Sequence, residues 1–118
     1  MKEIPMKEIE AIIHPHRVQN VIHALRALAH FPGLTLTEGR GEGRGMGAGG
    51  AYTATEEVID IHPRTVIRVV CADEIVSTMT ETIRSAAHTG NKGDGIITVR
   101  NLEAVIRIRT GEENDRSV

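Results

Sequence analysis

The chain has 118 residues, 40% of them hydrophobic, and a net charge of −2 with both signs interspersed; this describes one small domain and argues against a general nucleic-acid binder, which would carry a basic stripe interleaved with aromatics. Phe31 and Tyr52 are the only Phe, Tyr or Trp residues, so the core must be built from Ile, Val, Leu, Ala and Met. A single cysteine, Cys71, excludes an intrachain disulfide and fits a reducing compartment. No apolar run approaches the roughly 20 residues needed to span a bilayer, so the expectation is a cytoplasmic protein without membrane insertion.

In chain order, Met6-Lys-Glu-Ile-Glu-Ala-Ile-Ile13 alternates as a strand does. The preceding Met1-Lys-Glu-Ile-Pro5 nearly repeats its start and reads as a leader or an alternative start. Pro15 suits a first helical position, and Val18, Val21, Ile22, Leu25, Leu28 and Ala29 follow at helical spacing until Pro32-Gly33 stops the helix. Leu34-Thr-Leu-Thr-Glu38 alternates again and leads into a stretch where seven of the twelve glycines fall between Gly39 and Gly50, the composition of a mobile loop. Val58–Ile61 and Thr65–Val70 read as two parts of a strand interrupted near His62-Pro63. Asp73 is placed to cap a second helix with an apolar stripe of Ile75, Val76, Met79, Ile83, Ala86 and Ala87, and Gly90 is placed to end it. Two β-like runs follow, Gly95 to Arg100 and Leu102 to Arg109, and then a polar tail from Gly111.

The order β-α-β-β-α-β predicts an α+β, ferredoxin-like domain: an antiparallel sheet with two helices on one face and the other face available for subunit packing. The expected organisation is a single domain over 1–118, with an extension at 1–5, a flexible loop at about 39–57 and a tail at 111–118.

Chemistry concentrates late in the chain. Thr89-Gly-Asn-Lys-Gly-Asp-Gly95 is a glycine-rich turn able to offer backbone N–H groups, and Arg107-Ile-Arg109 supplies two guanidinium forks for anionic oxygens. Residues two apart on a strand share a face roughly 6 to 7 Å apart, so Arg107 and Arg109 could converge on one polyphosphate. Alternating arginines commonly mark a solvated face, but the nearby Gly93-Asp94-Gly95 turn favours a ligand.

These two motifs, with Met6-Lys-Glu-Ile-Glu-Ala-Ile-Ile-His-Pro15 and Gly33-Leu-Thr-Leu-Thr-Glu38, resemble the PII family of signal-transduction proteins from Met6 to Asp115. The resemblance implies a homotrimer whose intersubunit clefts bind an adenine nucleotide (ADP, ATP or AMP), while a long T-loop docks on a target protein such as a membrane transporter. It would place Thr35 and Val70 at the adenine, and Gly43, Arg44, Gly93, Asp94 and Gly95 along ribose and phosphates. Arg107 and Arg109 would reach the phosphates from the neighbouring subunit. Three departures stand out: Ile96 where the family has a lysine, Gly45 where it has the glutamine of the magnesium and 2-oxoglutarate site, and Glu57 in place of the modified tyrosine. The first two predict weak or absent 2-oxoglutarate and magnesium binding, and the third predicts no uridylylation. Arg68 stands where the family pairs an acid with that lysine, which suggests that the positive charge has moved to another strand and still serves the nucleotide.

A different class of reading is a small metal-binding or metal-responsive trimer using exposed histidines. His16, His23 and His30 recur every seven residues on one helix side, but seven residues span about 10.5 Å, too far to share one ion. That is a solvated stripe. His14 and His16 flank Pro15 and offer weak metal binding at most, and His62 lies beside the loop base. Enzyme readings fare worse: Gly45–Gly50 formally contains GxGxxG without opening a helix, and Cys71 has no evident base. A slow nucleotide hydrolase using Asp94 to position water is the remaining catalytic alternative; the expectation is a regulator, not an enzyme.

Overall fold

The computed structural model describes residues 5–42 and 61–114. Strand β1 (Met6–Ile13) passes through a 3-10 turn (Pro15–Arg17) into helix α1 (Val18–Arg26). Strands β2 (Thr35–Gly41) and β3 (His62–Ala72) follow, then a second 3-10 turn (Asp73–Ile75), helix α2 (Val76–Ala87) and strand β4 (Ile96–Leu102). The sheet order is β2-β3-β1-β4 and every neighbouring pair is antiparallel. This is the ferredoxin-like α+β arrangement that the element order predicts.

Period-2 patterning sorts the sheet into two faces. Ile9, Ala11 and Ile13 of β1 and Ile67, Val69 and Cys71 of β3 lie buried against Val21 and Leu25 of α1 and Met79, Ile83 and Ala87 of α2. Burying each of the larger of these aliphatic side chains contributes about 1.5–3 kcal/mol, which is how two short helices are held on one face of a four-stranded sheet. The intervening residues face the other way and include four charged ones: Glu8 and Glu10 of β1, Arg68 of β3 and Arg100 of β4. The helices are tied to each other by a polar contact as well. Both Nε (3.0 Å) and an Nη (2.6 Å) of Arg17 donate to the Ala86 carbonyl, one of the last acceptors of α2.

Several local expectations need correction. α1 ends at Arg26, short of Pro32-Gly33, because a turn through His30, at φ 64°, intervenes before Gly33 at φ 109°. β2 extends to Gly41, so three residues assigned to the loop belong to the sheet. β3 begins at His62, so His62-Pro63 opens this strand and Thr65–Val70 follows it without a break; a proline is tolerated near a strand's start, where its missing donor costs little. Residues 58–60 and most of the loop, with Gly43, Arg44, Gly45 and Glu57, lie outside the described residues. Asp73 does not cap α2: no side-chain cap bond forms, and its carboxylate lies 3.6 Å from the Lys7 ammonium. Gly90 does not end α2 either, because the helix closes at Ala87 with an extended His88, and Gly90, at φ 88°, belongs to the turn beyond.

The largest correction concerns Val105–Arg109. β4 ends at Leu102, and beyond it the chain makes only a small reversal. Ile106 bridges Glu113, the Arg107 N–H donates to Glu112 O (2.8 Å) and the Gly111 N–H donates back to Arg107 O (2.7 Å). Gly111 at φ 74° turns the chain, and the Asn114 N–H closes on Val105 O. The alternating pattern is that of a strand, but among the described residues no neighbouring strand lies alongside it; Arg109 sits in a turn, and the two-apart argument for Arg107 and Arg109 does not apply within one chain.

Candidate functional site

The glycine turn between α2 and β4 is organised by one carboxylate. Asp94 accepts the Thr89 N–H (2.9 Å), the Gly90 N–H (3.0 Å) and, through a short contact, the Thr89 hydroxyl. Burial raises its pKa, but these three bonds and the nearby His14 outweigh it and hold the carboxyl down at about 2. Gly93 and Gly95 flank Asp94 at φ 88° and 107°, in the region that favours glycine. At Gly95 a second constraint is steric, because an added Cβ would fall 1.7 Å from the Ile12 carbonyl oxygen. The turn is therefore pressed against the end of β1.

His14, just past that end, is 8% exposed, and its Nε2 lies 3.4 Å from Asp94 Oδ1. Its ring stacks on His16, centroids 5.0 Å apart and planes within 14°. Burial lowers the His14 pKa first, with Arg64 and His16 adding to the effect, while Asp94 opposes it. Stacked imidazoles keep their nitrogens in their own planes, and among the described residues no group of three or more His, Cys, Asp or Glu side chains is arranged to hold a metal ion. A cleft of about 660 Å³ opens beside the pair, lined by His14, His16, His62, Arg64, Thr89 and Lys92, with Pro15, Pro63 and Asn91. Sequence reasoning missed Arg64 and Lys92. Arg64 had a usable signal, since it follows the loop's re-entry at Pro63 and shares strand parity with Arg68.

On the sheet's open face the register brings together residues remote in sequence. Thr35 stands opposite Arg68, Arg68 opposite Glu10, and Glu10 opposite Thr98, one row across all four strands. In the next row Val70 and Arg100 flank Glu8. Arg68 Nε bonds Glu10 Oε2 (3.0 Å), Arg100 Nε pairs with Glu8 (3.2 Å), and an Arg100 Nη lies 3.8 Å from Glu10. Thr35, Arg68 and Val70 thus share one face, and Ile12, against which Gly95 packs, lies two residues along β1 from Glu10, roughly 7 Å away. Ile96 opens β4 at 60% exposure, opposite Ile12. Arg107 and Arg109 lie on the terminal reversal outside this sheet.

A split βαβ unit with two helices on one sheet face and a glycine turn docked at the end of β1 defines the ferredoxin-like class. Within it, a family model described as nitrogen regulatory protein P-II matches residues 6–112, and the chain belongs to that family. It is 45% identical over 113 residues to nitrogen regulatory protein P-II 2 of Methanothermobacter thermautotrophicus, covering 96% of this chain and 97% of that one. It is 48% identical over 107 residues to the P-II protein of Rhizobium meliloti, covering 91% and 95%. Among solved structures, Arabidopsis thaliana PII bound to citrate superposes with a TM-score of 0.76 at 29% identity, covering 94% of this chain and 87% of that one. The proteins of this family are named as regulatory proteins, not as enzymes. Among the described residues no helix is long and apolar enough to cross a membrane.

Proposed function

We propose that this chain is a homotrimeric signal-transduction regulator that binds an adenine nucleotide in clefts between subunits and signals through the loop at about 39–57 to a target protein such as a membrane transporter. The observation that carries this reading is the turn at 89–95. Its one carboxylate, Asp94, is turned inward onto the Thr89 and Gly90 N–H groups, which fixes the glycine backbone of the turn for a ligand. Beside it lies a sheet face carrying Thr35, Arg68 and Val70 in adjacent rows.

Trimerisation has its own support. The open face pairs two acids with two arginines, so packing it against other copies would not strand an uncompensated charge. The reversal after β4 leaves Ile106 at 59% and Ile108 at 100% exposure, apolar surface that an adjacent subunit would cover. In such an assembly Arg107 and Arg109 belong to the neighbour's cleft, which agrees with their place on the reversal outside the strands of their own chain. Gly43 and Arg44 would complete the phosphate side from the loop, and no part is assigned to magnesium or 2-oxoglutarate.

Calorimetric titration of the full chain with ADP tests the reading, with light scattering for the assembly. Saturation near one ADP per chain in a trimeric particle supports it. Absence of ADP, ATP and AMP binding overturns the nucleotide assignment, and a monomer overturns the cleft.

A further inference from the structure

A buried imidazole touching the carboxylate that folds a functional turn couples that turn to proton concentration. We propose that His14 is a proton-linked latch on the 89–95 turn: when it gains or loses a proton, its hold on Asp94 changes and the backbone at Thr89 and Gly90 responds.

The geometry supplies each link. Asp94 holds the turn through the Thr89 and Gly90 N–H groups and the Thr89 hydroxyl, and His14 Nε2 reaches the oxygen that takes that hydroxyl. Asp94 stays ionised throughout the neutral range, so the charge state of the pair is set by His14 alone. His14 is nearly buried, and water cannot screen a new charge there as it would at the surface. The surrounding groups pull in opposite directions. Asp94 on the turn favours the imidazolium. Arg64 on β3 and His16 on the 3-10 turn oppose it, while His62 and Lys92 line the same cleft. Arg17, on the same 3-10 turn, is bonded to the Ala86 carbonyl. Near neutrality His14 is therefore uncharged and its contact with Asp94 is long. Acidification converts it into a charged pair, with Asp94 drawn between His14 and its own turn N–H groups.

The functional consequence rests on the nucleotide reading: phosphate affinity at Gly93–Gly95 would vary with pH through a residue that touches no ligand, which makes His14 a positioning residue. The latch itself can be tested without ligand. In the full-length protein, the His14 ring signals and the Thr89 and Gly90 amides are followed by NMR from about pH 8 to pH 5. The expected result is one shared midpoint below the ordinary histidine value. Asp94→Asn should move the His14 midpoint down, because it removes the group favouring the charge. His16→Gln should move it up, and His14→Gln should abolish the amide transition. Flat amides across the His14 titration in the wild type overturn the latch without recourse to any variant, as does an amide transition that persists in His14→Gln. ADP titrations of wild type at both pH extremes separate the two claims. Absence of binding ends the nucleotide reading and leaves the NMR outcome for the latch intact. ADP's own phosphate titrates in this range in every variant, so the link is read from the difference between proteins: a pH dependence identical in wild type and His14→Gln ends it.

Discussion

Gly95 and Ile12 meet backbone to backbone: a Cβ at position 95 would lie 1.7 Å from the Ile12 carbonyl oxygen. Gly33 provides an internal comparison, since its φ of 109° nearly equals the 107° of Gly95 but nothing lies within 4 Å of its virtual Cβ. The two sites share conformational strain and differ in the clash. Gly33→Ala should cost about 1 kcal/mol from strain alone. Gly95→Ala should cost about 2–4 kcal/mol and displace the turn. Urea unfolding of both variants measures the difference; equal losses would mean that the turn moves away from β1 freely.

Much of this architecture was readable from hydrophobic period. Ile9, Ala11 and Ile13 alternate, Val21 and Leu25 recur at helical spacing, and both patterns face the core as expected. What failed were places where a local signal needed a partner. Val105-Ile-Arg-Ile-Arg109 has strand composition, but a strand needs a neighbour for its N–H and C=O groups, and among the described residues its backbone pairs with Gly111, Glu112, Glu113 and Asn114 of its own reversal. Asp73 has the right identity for a cap, yet Lys7 on β1 is 3.6 Å away and no sequence-local rule anticipates it. The candidate site was legible as motifs. The rows that join Thr35 to Arg68 and Val70 to Glu8 depend on strand register, and the contact of His14 with Asp94 joins residues 80 apart in sequence.

Arg17 links the start of α1 to the end of α2. Its fork donates twice to the Ala86 carbonyl, at 3.0 and 2.6 Å, supplying a charged donor where the helix's own N–H donors run out. Arg17→Ala should destabilise the protein by about 1–2 kcal/mol, since charged hydrogen bonds at part-buried sites are worth that much. Arg17→Lys should recover only part of the loss because an ammonium lacks the planar fork. Thermal unfolding of the three proteins checks the ranking; an Arg17→Ala protein as stable as wild type would show that water replaces the bond.

Acid should loosen the turn before it unfolds the sheet. The native Asp94 carboxyl titrates at about 2 against an ordinary value of 3.8, a depressed native pKa. The stabilisation is therefore complete above the unfolded value and is lost as pH falls from about 3.8 toward 2. Its size is about 2 kcal/mol, taking about 1.4 kcal/mol per unit. His14 also has a depressed native pKa, so stability should already decline as pH drops below 6.5, the two effects adding in the same direction. Asp94→Asn should remove the Asp94 part of the acid limb near pH 2 to 4, while the decline that begins below 6.5 persists and deepens, because His14 loses the group that favours its charge. Denaturant midpoints taken at intervals of pH would show it, and an unchanged acid limb in Asp94→Asn would refute the assignment.

Arg68 is bonded to Glu10 through Nε at 3.0 Å, which leaves the two terminal guanidinium nitrogens for another anion. Its side chain is 39% exposed, so the pair should contribute at most about 1 kcal/mol to stability, and Arg100 remains beside Glu10 at 3.8 Å if Arg68 is removed. Arg68→Ala should thus barely move the melting temperature. If Arg68 carries the positive charge that Ile96 lacks, the same substitution should weaken ADP binding about tenfold, the loss of one charge-assisted contact worth about 1.4 kcal/mol. Glu10→Gln should leave affinity equal or stronger, because it releases Nε and lowers the competing negative charge. Calorimetry on the two variants separates a nucleotide contact from a purely structural ion pair: an Arg68→Ala affinity within twofold of wild type assigns the residue to the sheet alone.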